Sequence, residues 1–466
     1  MKNRVSIGDL KEHIGKEVTI QGWVDIRRDH GKLIFIDLRD ASGKVQMVAL
    51  PNHKEAHALT STLRSEWVIS VTGNVNKRPD KMVNKDEANG TIEIEILNVI
   101  VLNEATTPPF DIHTDGKEIG EEVRLEHRYI DLRRPRLQTN IRNRAKVMQF
   151  IREELSKQNF VEIETPLLSA STPEGSRDYI VPSRIDKGLF YALPQSPQQY
   201  KQLLMASGFE RYFQIARCMR DEDTRGDRQP EFTQLDLEMS FVEQEDVIAL
   251  NEKLLIDLVT KLYPEKKIQE VPFPRMTYKE AMEKYKSDKP DIRKDKNDPN
   301  LLAFLWVIDW PFFEKDDKGG WTFSHNPFSA PIPEHIDLLM KKEKIAEIMT
   351  TQYDITLNGN EIGGGSIRNH KPEALKKVFE VMGYSDERIE KNFGHMLKAL
   401  GSGTPPHGGI AWGFDRFMML LQNEPNIREV ITFAKTGEGR DLMMHAPSEI
   451  NPEQLAELGI SVKKAK

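Results

Sequence analysis

Residues 211–242 contain two runs with the two-residue rhythm of strands, flanking the loop Thr224-Arg225-Gly226-Asp227-Arg228-Gln229. Parity places Gln214, Cys218, Arg220 and Glu222 on one face of the first run. On the second it sets Gln234, Asp236 and Glu238 opposite Thr233, Leu235, Leu237 and Met239. One face of this hairpin is therefore apolar and the other ionisable. Such a face can be open to water or can line a site for a charged ligand. Upstream, Ser196-Pro197 is an N-cap and first-turn pair, predicting a helix with Gln198, Lys201 and Gln202 on one face. An ammonium there can hold a carboxylate, although a lone lysine is ordinarily solvated. Arg416 heads the helical run 417–421 behind Gly413, where free N–H groups and the helix dipole suit an anion; a plain helix cap is the alternative. Asp354 and Glu361, on either side of Asn358-Gly359-Asn360, are two exposed carboxylates around a turn or a pair of oxygen donors for a cation.

Elements that could position these groups follow from patterning. Val18, Ile20 and Val24, then Ile34, Ile36 and Leu38, then Val45 and Met47, then Val68 and Val71, then Ile92, Ile94 and Ile96 predict five strands, with a helix over 54–64 between the third and fourth. That order is the order of an OB-type barrel, a fold that commonly binds oligonucleotides. If Ile34, Ile36 and Leu38 face its core, Phe35 points outward, either to stack on a base or to cover a neighbouring loop. Residues 105–136, with Pro108, Pro109, Pro135 and many charges, read as a linker between domains at 1–104 and 137–466. A helix over 139–158 leads into a strand stopped by Pro166, and a further helix is expected over 247–262. Strands and helices do not alternate regularly after that, which favours an α+β domain on an antiparallel sheet.

Composition narrows the class. Sixty-six Lys and Arg against 73 Asp and Glu give a net charge of −7, so any polyanion must meet a local basic patch. The one cysteine, Cys218, excludes an intramolecular disulfide and a multi-thiol zinc site, so no zinc is expected. The N-terminal Met-Lys-Asn-Arg-Val-Ser lacks a signal-like apolar stretch, and no apolar run of about 18 residues exists for a membrane span. A cytoplasmic protein with no membrane partner is expected.

The segment Arg220-Asp221-Glu222-Asp223, followed by Arg228-Gln229-Pro230-Glu231-Phe232-Thr233-Gln234-Leu235-Asp236, resembles motif 2 of the class II aminoacyl-tRNA synthetases in their aspartyl form. The helix and strand ending at Pro166 are similar to motif 1, and Gly408-Gly409-Ile410-Ala411-Trp412-Gly413-Phe414-Asp415-Arg416 to motif 3. Thr172-Pro173-Glu174-Gly175 and Gln195-Ser196-Pro197-Gln198 look like the loops of bacterial aspartyl enzymes. The resemblance runs from about residue 5 to 460 and implies a class II synthetase domain behind an N-terminal OB-fold anticodon-binding barrel.

By this resemblance, Lys201 and Arg368 clamp the side-chain carboxylate of L-aspartate. Ser196, Gln198, Arg220, Asp236 and His325 complete that site, and Glu174 closes over it. Arg220 and Arg416 are implied as the catalytic arginines on the α- and γ-phosphates of ATP, with Asp221, Glu222, Gln229, Glu361, Gly413, Phe414 and Asp415 around the nucleotide. Asp354 and Glu361 are implied to hold Mg2+. Glu361 and Arg368 have opposite parity in an ideal strand, so a bulge is expected at Gly363-Gly364-Gly365. In the barrel, Arg28, Phe35, Gln46 and Glu93 are implied to read the anticodon. His30 is similar to the residue of enzymes that charge both tRNA(Asp) and tRNA(Asn), so relaxed charging is expected rather than strict charging of tRNA(Asp). A homodimer through motif 1 is implied. The bacterial family usually inserts a domain where only residues 293–300 bridge the gap here. An asparagine synthetase built on the same core would not need the barrel; an asparaginyl or lysyl enzyme would keep it. A noncatalytic OB-fold RNA-binding protein would leave the arginines and the acidic pair idle.

Overall fold

The computed structural model describes residues 4–171 and 175–463. Two compact units are present, Met1–Thr114 and Asp115–Lys466.

The first unit is a closed barrel of β1 (Glu17–Asp29), β2 (Ile34–Arg39), β3 (Lys44–Ala49), β4 (Val68–Lys77) and β5 (Ile92–Asn103), in the order β1-β2-β3-β5-β4, with α1 (Lys54–Thr62) between β3 and β4. Closure removes the sheet edges. Ile34, Ile36 and Leu38 are buried and Phe35 is only partly covered, as alternation requires. On β4 a register shift between Val68 and Ile69 turns Ile69, rather than Val68, into the core beside Val71.

Residues 105–136, expected from their charges and prolines to form a linker, are divided between the two units. Up to Thr114 they belong to the barrel unit. Beyond it they form α2 (Glu121–Glu126) and α3 (Arg128–Asp131), and Pro135 opens α4 (Pro135–Ser156) from its first turn. The charges are buried against one another. Asp131 accepts from Arg124 Nε at 3.1 Å, Arg128 Nη1 at 2.8 Å and Arg134 Nε at 2.7 Å. Glu429 takes Arg124 on both oxygens, at 3.0 and 2.8 Å, and Arg136 at 2.8 Å.

The second unit is built on an eight-stranded sheet. Its strands are β6 (Val161–Glu162), β7 (Arg211–Met219), β8 (Glu231–Ser240), β9 (Arg275–Thr277), β10 (Phe304–Ile308), β11 (Gln352–Leu357), β12 (Asn360–Ile367) and β13 (His407–Gly413), in the order β9-β10-β11-β12-β13-β8-β7-β6. The pairs between are antiparallel, but the outermost pair at each edge is parallel, so the sheet is mixed rather than purely antiparallel. One face carries the rows Tyr353-Gly365-Ile410-Leu237-Phe213 and Ile355-Gly363-Trp412-Leu235-Ile215. Their large apolar side chains bury with Val147, Phe150, Ile151 and Leu155 of α4, with Val247, Leu254, Leu255 and Leu258 of α6 (Gln244–Leu262), and with Phe414 and Phe417 of α7 (Phe414–Leu421). The intervening rows point the other way: Asp354-Gly364-Ala411-Asp236-Gln214 and Gln352-Ser366-Gly409-Glu238-Tyr212.

Glu429 offers a test of the arginine cluster. Burial alone would raise its pKa, but the guanidinium groups of Arg124 and Arg136 outweigh it and lower the value from 4.5 to about 2. A depressed folded pKa means the unfolded chain binds the proton first as pH falls. The contribution is complete above about pH 5 and lost towards pH 2, and is worth about 3 kcal/mol. Glu429→Gln is expected to remove that stability at neutral pH and to flatten the acid limb of a urea-midpoint profile.

Candidate active site

The polar rows of the sheet form the floor of the site. The ionisable face of the β7–β8 hairpin is not wet: Asp236 and Glu238 are buried as completely as Leu235 and Leu237 behind them. α5 (Gln198–Ala206) lies over this face, with Ser196 Oγ accepting from Gln198 N at 3.3 Å across its first turn. From α5, Lys201 reaches Asp236 Oδ1 at 2.5 Å and Glu238 Oε2 at 3.4 Å. Arg368, just beyond β12, donates from Nε and Nη2 to the two Glu238 oxygens at 2.8 and 3.1 Å, and from Nη1 to Ser366 Oγ at 2.9 Å. The two cations expected to clamp a carboxylate thus converge on one side chain. Burial pushes Asp236 up; for Glu238, burial is outweighed by Arg368 and Lys201 and the pKa falls. Asp236 Oδ2 is buried without a hydrogen-bond partner.

Glu238 was not among the candidates drawn from sequence. Its signal was its parity with Asp236, which put it on the ionisable face. What parity could not show was that both cations converge there.

At the other end of the floor lies a cavity of about 230 Å3, lined by Arg220, Glu222, Gln229, Phe232, Glu361, Gly413 and Arg416 among others. Arg220 stacks its guanidinium over Phe232, 5.1 Å from the ring centroid, and its Nε is buried and unpartnered. Arg416 donates from Nη1 to the Glu361 carbonyl at 2.6 Å and meets Asp227 Oδ2 from Nη2 at 3.0 Å; its Nε is likewise buried and unpartnered. The cavity lining thus mixes arginines, two of them with an unpaired buried donor, with the carboxylates of Glu222, Asp223, Asp227, Glu361 and Asp415, a set suited to an anionic ligand that carries cations. Gln229 Oε1 accepts from Lys435 N at 2.8 Å, while its Nε2 is buried without a partner. Glu222 lies against Ser176 Oγ and 3.5 Å from Arg228.

Three expected nucleotide contacts sit differently. Phe414 is fully buried in the core beneath the guanidinium of Arg144, because the residue after Gly413 turns to the apolar side of the sheet. Asp415 lines the cavity but is engaged by Arg144 Nη1 at 2.5 Å and Thr233 N at 2.7 Å, which ties α7 to β8. Asp221 faces a second opening of about 780 Å3 beside Arg177, 3.3 Å away, since strand parity turns it away from Arg220. Glu174 lies outside the described residues.

The expected bulge is present, one residue ahead of the glycines: Thr356 pairs with Glu361 and Ile355 with Gly363, leaving Ile362 as the extra residue. It brings Glu361 onto the face of Asp354 and Arg368. His325 Nε2 is 3.4 Å from Asp354 Oδ2, and its ring meets Trp310 edge-on at 5.9 Å. Desolvation by the surrounding protein opposes the imidazolium, although about a third of the side chain stays accessible, and Asp354 and Glu361 raise its pKa to about 9. Burial, with Glu361 adding repulsion, pushes Asp354 up. A divalent cation would relieve that repulsion, so the two carboxylates fit a hard cation such as Mg2+; no cluster of three or more metal-ligating side chains occurs among the described residues.

On the barrel, Arg28 grips Asp37 with two bonds of 2.9 and 2.8 Å and lies 3.5 Å from Gln46. Phe35 pairs in register with Arg28, and His30 meets its ring edge-on at 5.7 Å. Glu93 is 4.0 Å from Arg78 Nε.

The family description "tRNA synthetases class II (D, K and N)" matches residues 120–437, and "OB-fold nucleic acid binding domain" matches 18–102. Among curated relatives, the "Aspartate--tRNA(Asp/Asn) ligase" of Desulfatibacillum aliphaticivorans is 40% identical, covering 97% of this chain and 96% of the relative. The protein of the same name from Bacillus subtilis is 40% identical over 98% of both chains. The "Aspartate--tRNA ligase" of Lysinibacillus sphaericus is 38% identical over 96% of this chain and 97% of its own. The first alignment runs over 582 positions against the 466 residues here, so more than one hundred positions of it have no counterpart in this chain. Among solved structures, asparaginyl-tRNA synthetase from Pyrococcus horikoshii complexed with asparaginyl-adenylate has the same fold, with a TM-score of 0.76 at 21% identity over 94% of this chain and 99% of that one. The chain therefore belongs to the class II tRNA synthetases of the D, K and N group, with an OB-fold nucleic-acid-binding domain at its N-terminal end.

Proposed function

We propose that this protein activates L-aspartate with ATP and transfers it to tRNA, charging both tRNA(Asp) and tRNA(Asn). The observation that carries this reading is the convergence of buried Lys201 and Arg368 on Glu238, on a floor that runs into the cavity lined by Arg220 and Arg416. The substrate carboxylate meets two fixed cations; a neutral amide there would leave charged donors poorly paired. In the first step an oxygen of the aspartate α-carboxylate bonds to the α-phosphorus and the bond to the β-phosphate bridge breaks, releasing pyrophosphate. In the second, the 3'-hydroxyl of the terminal adenosine attacks the activated carbonyl and AMP leaves. No protein nucleophile is needed, because the carboxylate is already ionised. Arg220 spreads the charge developing at the α-phosphate and Arg416 holds the far end of the nucleotide. Asp354 and Glu361 would hold Mg2+, which supplies further charge neutralisation at the phosphates. On the barrel, Phe35 offers a stacking face beside Arg28 and Gln46 for the anticodon, with Glu93 on the adjoining strand.

A homodimer through motif 1 would cover exposed apolar residues such as Val161, Leu167 and Leu168. No helix among the described residues is long and apolar enough to cross a membrane; the proposed reaction belongs in the cytoplasm, where tRNA is charged.

Pyrophosphate exchange tests the amino-acid assignment: aspartate is expected to support exchange, and asparagine and lysine are not. Arg220→Ala is expected to slow aspartate-dependent exchange by a factor of about 100 or more, corresponding to about 3 kcal/mol of transition-state stabilisation. Exchange at the unaltered rate would remove Arg220 from the chemistry. Aminoacylation of tRNA(Asp) and tRNA(Asn) side by side tests the tRNA range. Both are expected to accept aspartate, and His30→Leu is expected to lower charging of tRNA(Asn) about tenfold while sparing tRNA(Asp). If tRNA(Asn) accepts no aspartate, the enzyme is a strict ligase.

A further inference from the structure

A run of hydrogen bonds leads from the head of α5 to a histidine with no role so far. Gln198 Nε2 donates to Gln202 Oε1 at 3.0 Å, Gln202 Nε2 lies 3.2 Å from His407 Nε2, and His407 Nδ1 lies 2.8 Å from the Pro405 carbonyl oxygen. Gln202 and His407 are buried, and Gln198 is half-buried at the end of the run.

The donor sense of the whole run follows from its inner end. A carbonyl oxygen only accepts, so His407 carries its proton on Nδ1. In the neutral ring Nε2 is then an acceptor. Gln202 must turn its amide N–H to His407 and its oxygen to Gln198. Gln198 in turn spends an N–H on Gln202 and keeps its own carbonyl oxygen for a ligand. Burial pushes the His407 imidazole pKa down, which keeps the acceptor in place at neutral pH.

The neighbouring group matches in sense. Lys201, one turn along α5 from Gln198, holds Asp236 through Oδ1, and the other oxygen, Oδ2, is a buried acceptor without a partner. Two acceptors suit the ammonium group of an amino acid. With Gln198 reversed, its N–H groups would oppose that ammonium.

We propose that His407 is a positioning residue for the amino-acid substrate, its Nδ1–H tautomer fixed by Pro405 so that Gln202 and Gln198 are held with the Gln198 carbonyl oxygen facing the ligand. The inference rests on the reading of Gln198 as an aspartate contact.

Pyrophosphate exchange by the full-length chain, with aspartate and ATP varied separately, provides the test. His407→Phe keeps a ring but removes the acceptor. It is expected to raise the KM for aspartate roughly three- to tenfold, the value of one directed hydrogen bond, with the KM for ATP within about twofold. His407→Gln, which can present a carbonyl oxygen where Nε2 stood, is expected to recover most of the loss. Gln202→Met interrupts the run in its middle and should give the same split, whether or not the phenylalanine variant folds. Adding His407→Phe to Gln198→Ala should change nothing further. An unchanged KM for aspartate in folded His407→Phe and Gln202→Met, while Gln198→Ala raises it, overturns the relay alone. An unchanged KM in Gln198→Ala overturns the underlying reading of that residue and the relay with it. Equal rises in both KM values would reduce His407 to a packing role and overturn the proposal.

Discussion

Four buried charges in one patch of sheet set the terms for the rest of the second unit. Lys201 and Arg368 stand against Asp236 and Glu238, and each of the four is at most 2% exposed. As a stabiliser this is poor chemistry: taking ions out of water costs several kcal/mol apiece, and apolar side chains of similar volume would hold the sheet as well. Its value is that the charges stay put. Arg368 is fixed by Glu238 and Ser366, and Lys201 by Asp236 and Glu238, so neither cation has to be ordered when a carboxylate arrives.

Holding acids flat against a sheet requires room beneath them, and the floor supplies it with small residues. A Cβ on Gly409 would come 2.1 Å from the Leu237 carbonyl and 2.2 Å from Glu238 Oε2, and one on Gly364 would come 2.8 Å from Asp354 Oδ1. The same strands do the opposite on their other face, where Trp412, Ile410 and Tyr353 fill the core. Alternation therefore ties site and core together residue by residue. A well-packed interior holds its side chains in fixed positions, and strands gripped on one side transmit that precision to the charges on the other.

This alternation was legible in the sequence wherever strands were regular. The barrel's inward residues, the outward Phe35 and the two faces of the β7–β8 hairpin all followed from parity. Departures came where a local or long-range contact overrode it. The Ile362 bulge could be expected only because Glu361 and Arg368 had to meet, and its position was one residue off the glycines. Phe414 is no such departure: alternation carries it to the side of Ile410 and Trp412, and only its expected contact with the nucleotide set it elsewhere. Residues 115–136 looked like a linker because Arg124, Arg128, Asp131 and Arg134 carry a solvated segment's composition. The acids that hold Arg124 and Arg136, Glu429 and Glu424, are some 300 residues away in the chain, beyond the reach of any local pattern. Glu238 was visible as a polar residue but not as the point where two cations meet, because that depends on α5 and β12 arriving together.

The distant arginine cluster also reaches the cavity. Arg128 donates to the carbonyl oxygens of Arg428, Ile431 and Thr432 at 2.7, 2.9 and 2.9 Å, and Arg124 and Arg136 hold Glu429, so the short turn Ile427–Glu429 is gripped from beneath. That turn holds the loop between β7 and β8 from the side: Ile427 N donates to the Gly226 carbonyl at 2.9 Å and Arg428 Nη1 to the Arg225 carbonyl at 3.2 Å. Asp227, the next residue of the loop, is the partner of Arg416. Loops carry reactive groups well only when something rigid fixes their backbone. Here the fixing element is a set of buried guanidinium–carbonyl and guanidinium–carboxylate bonds, which are directional and hold specific backbone atoms. An apolar cluster of the same size would stabilise the fold without dictating where the Gly226 carbonyl sits, and so would leave the arginine at the mouth of the cavity less well placed.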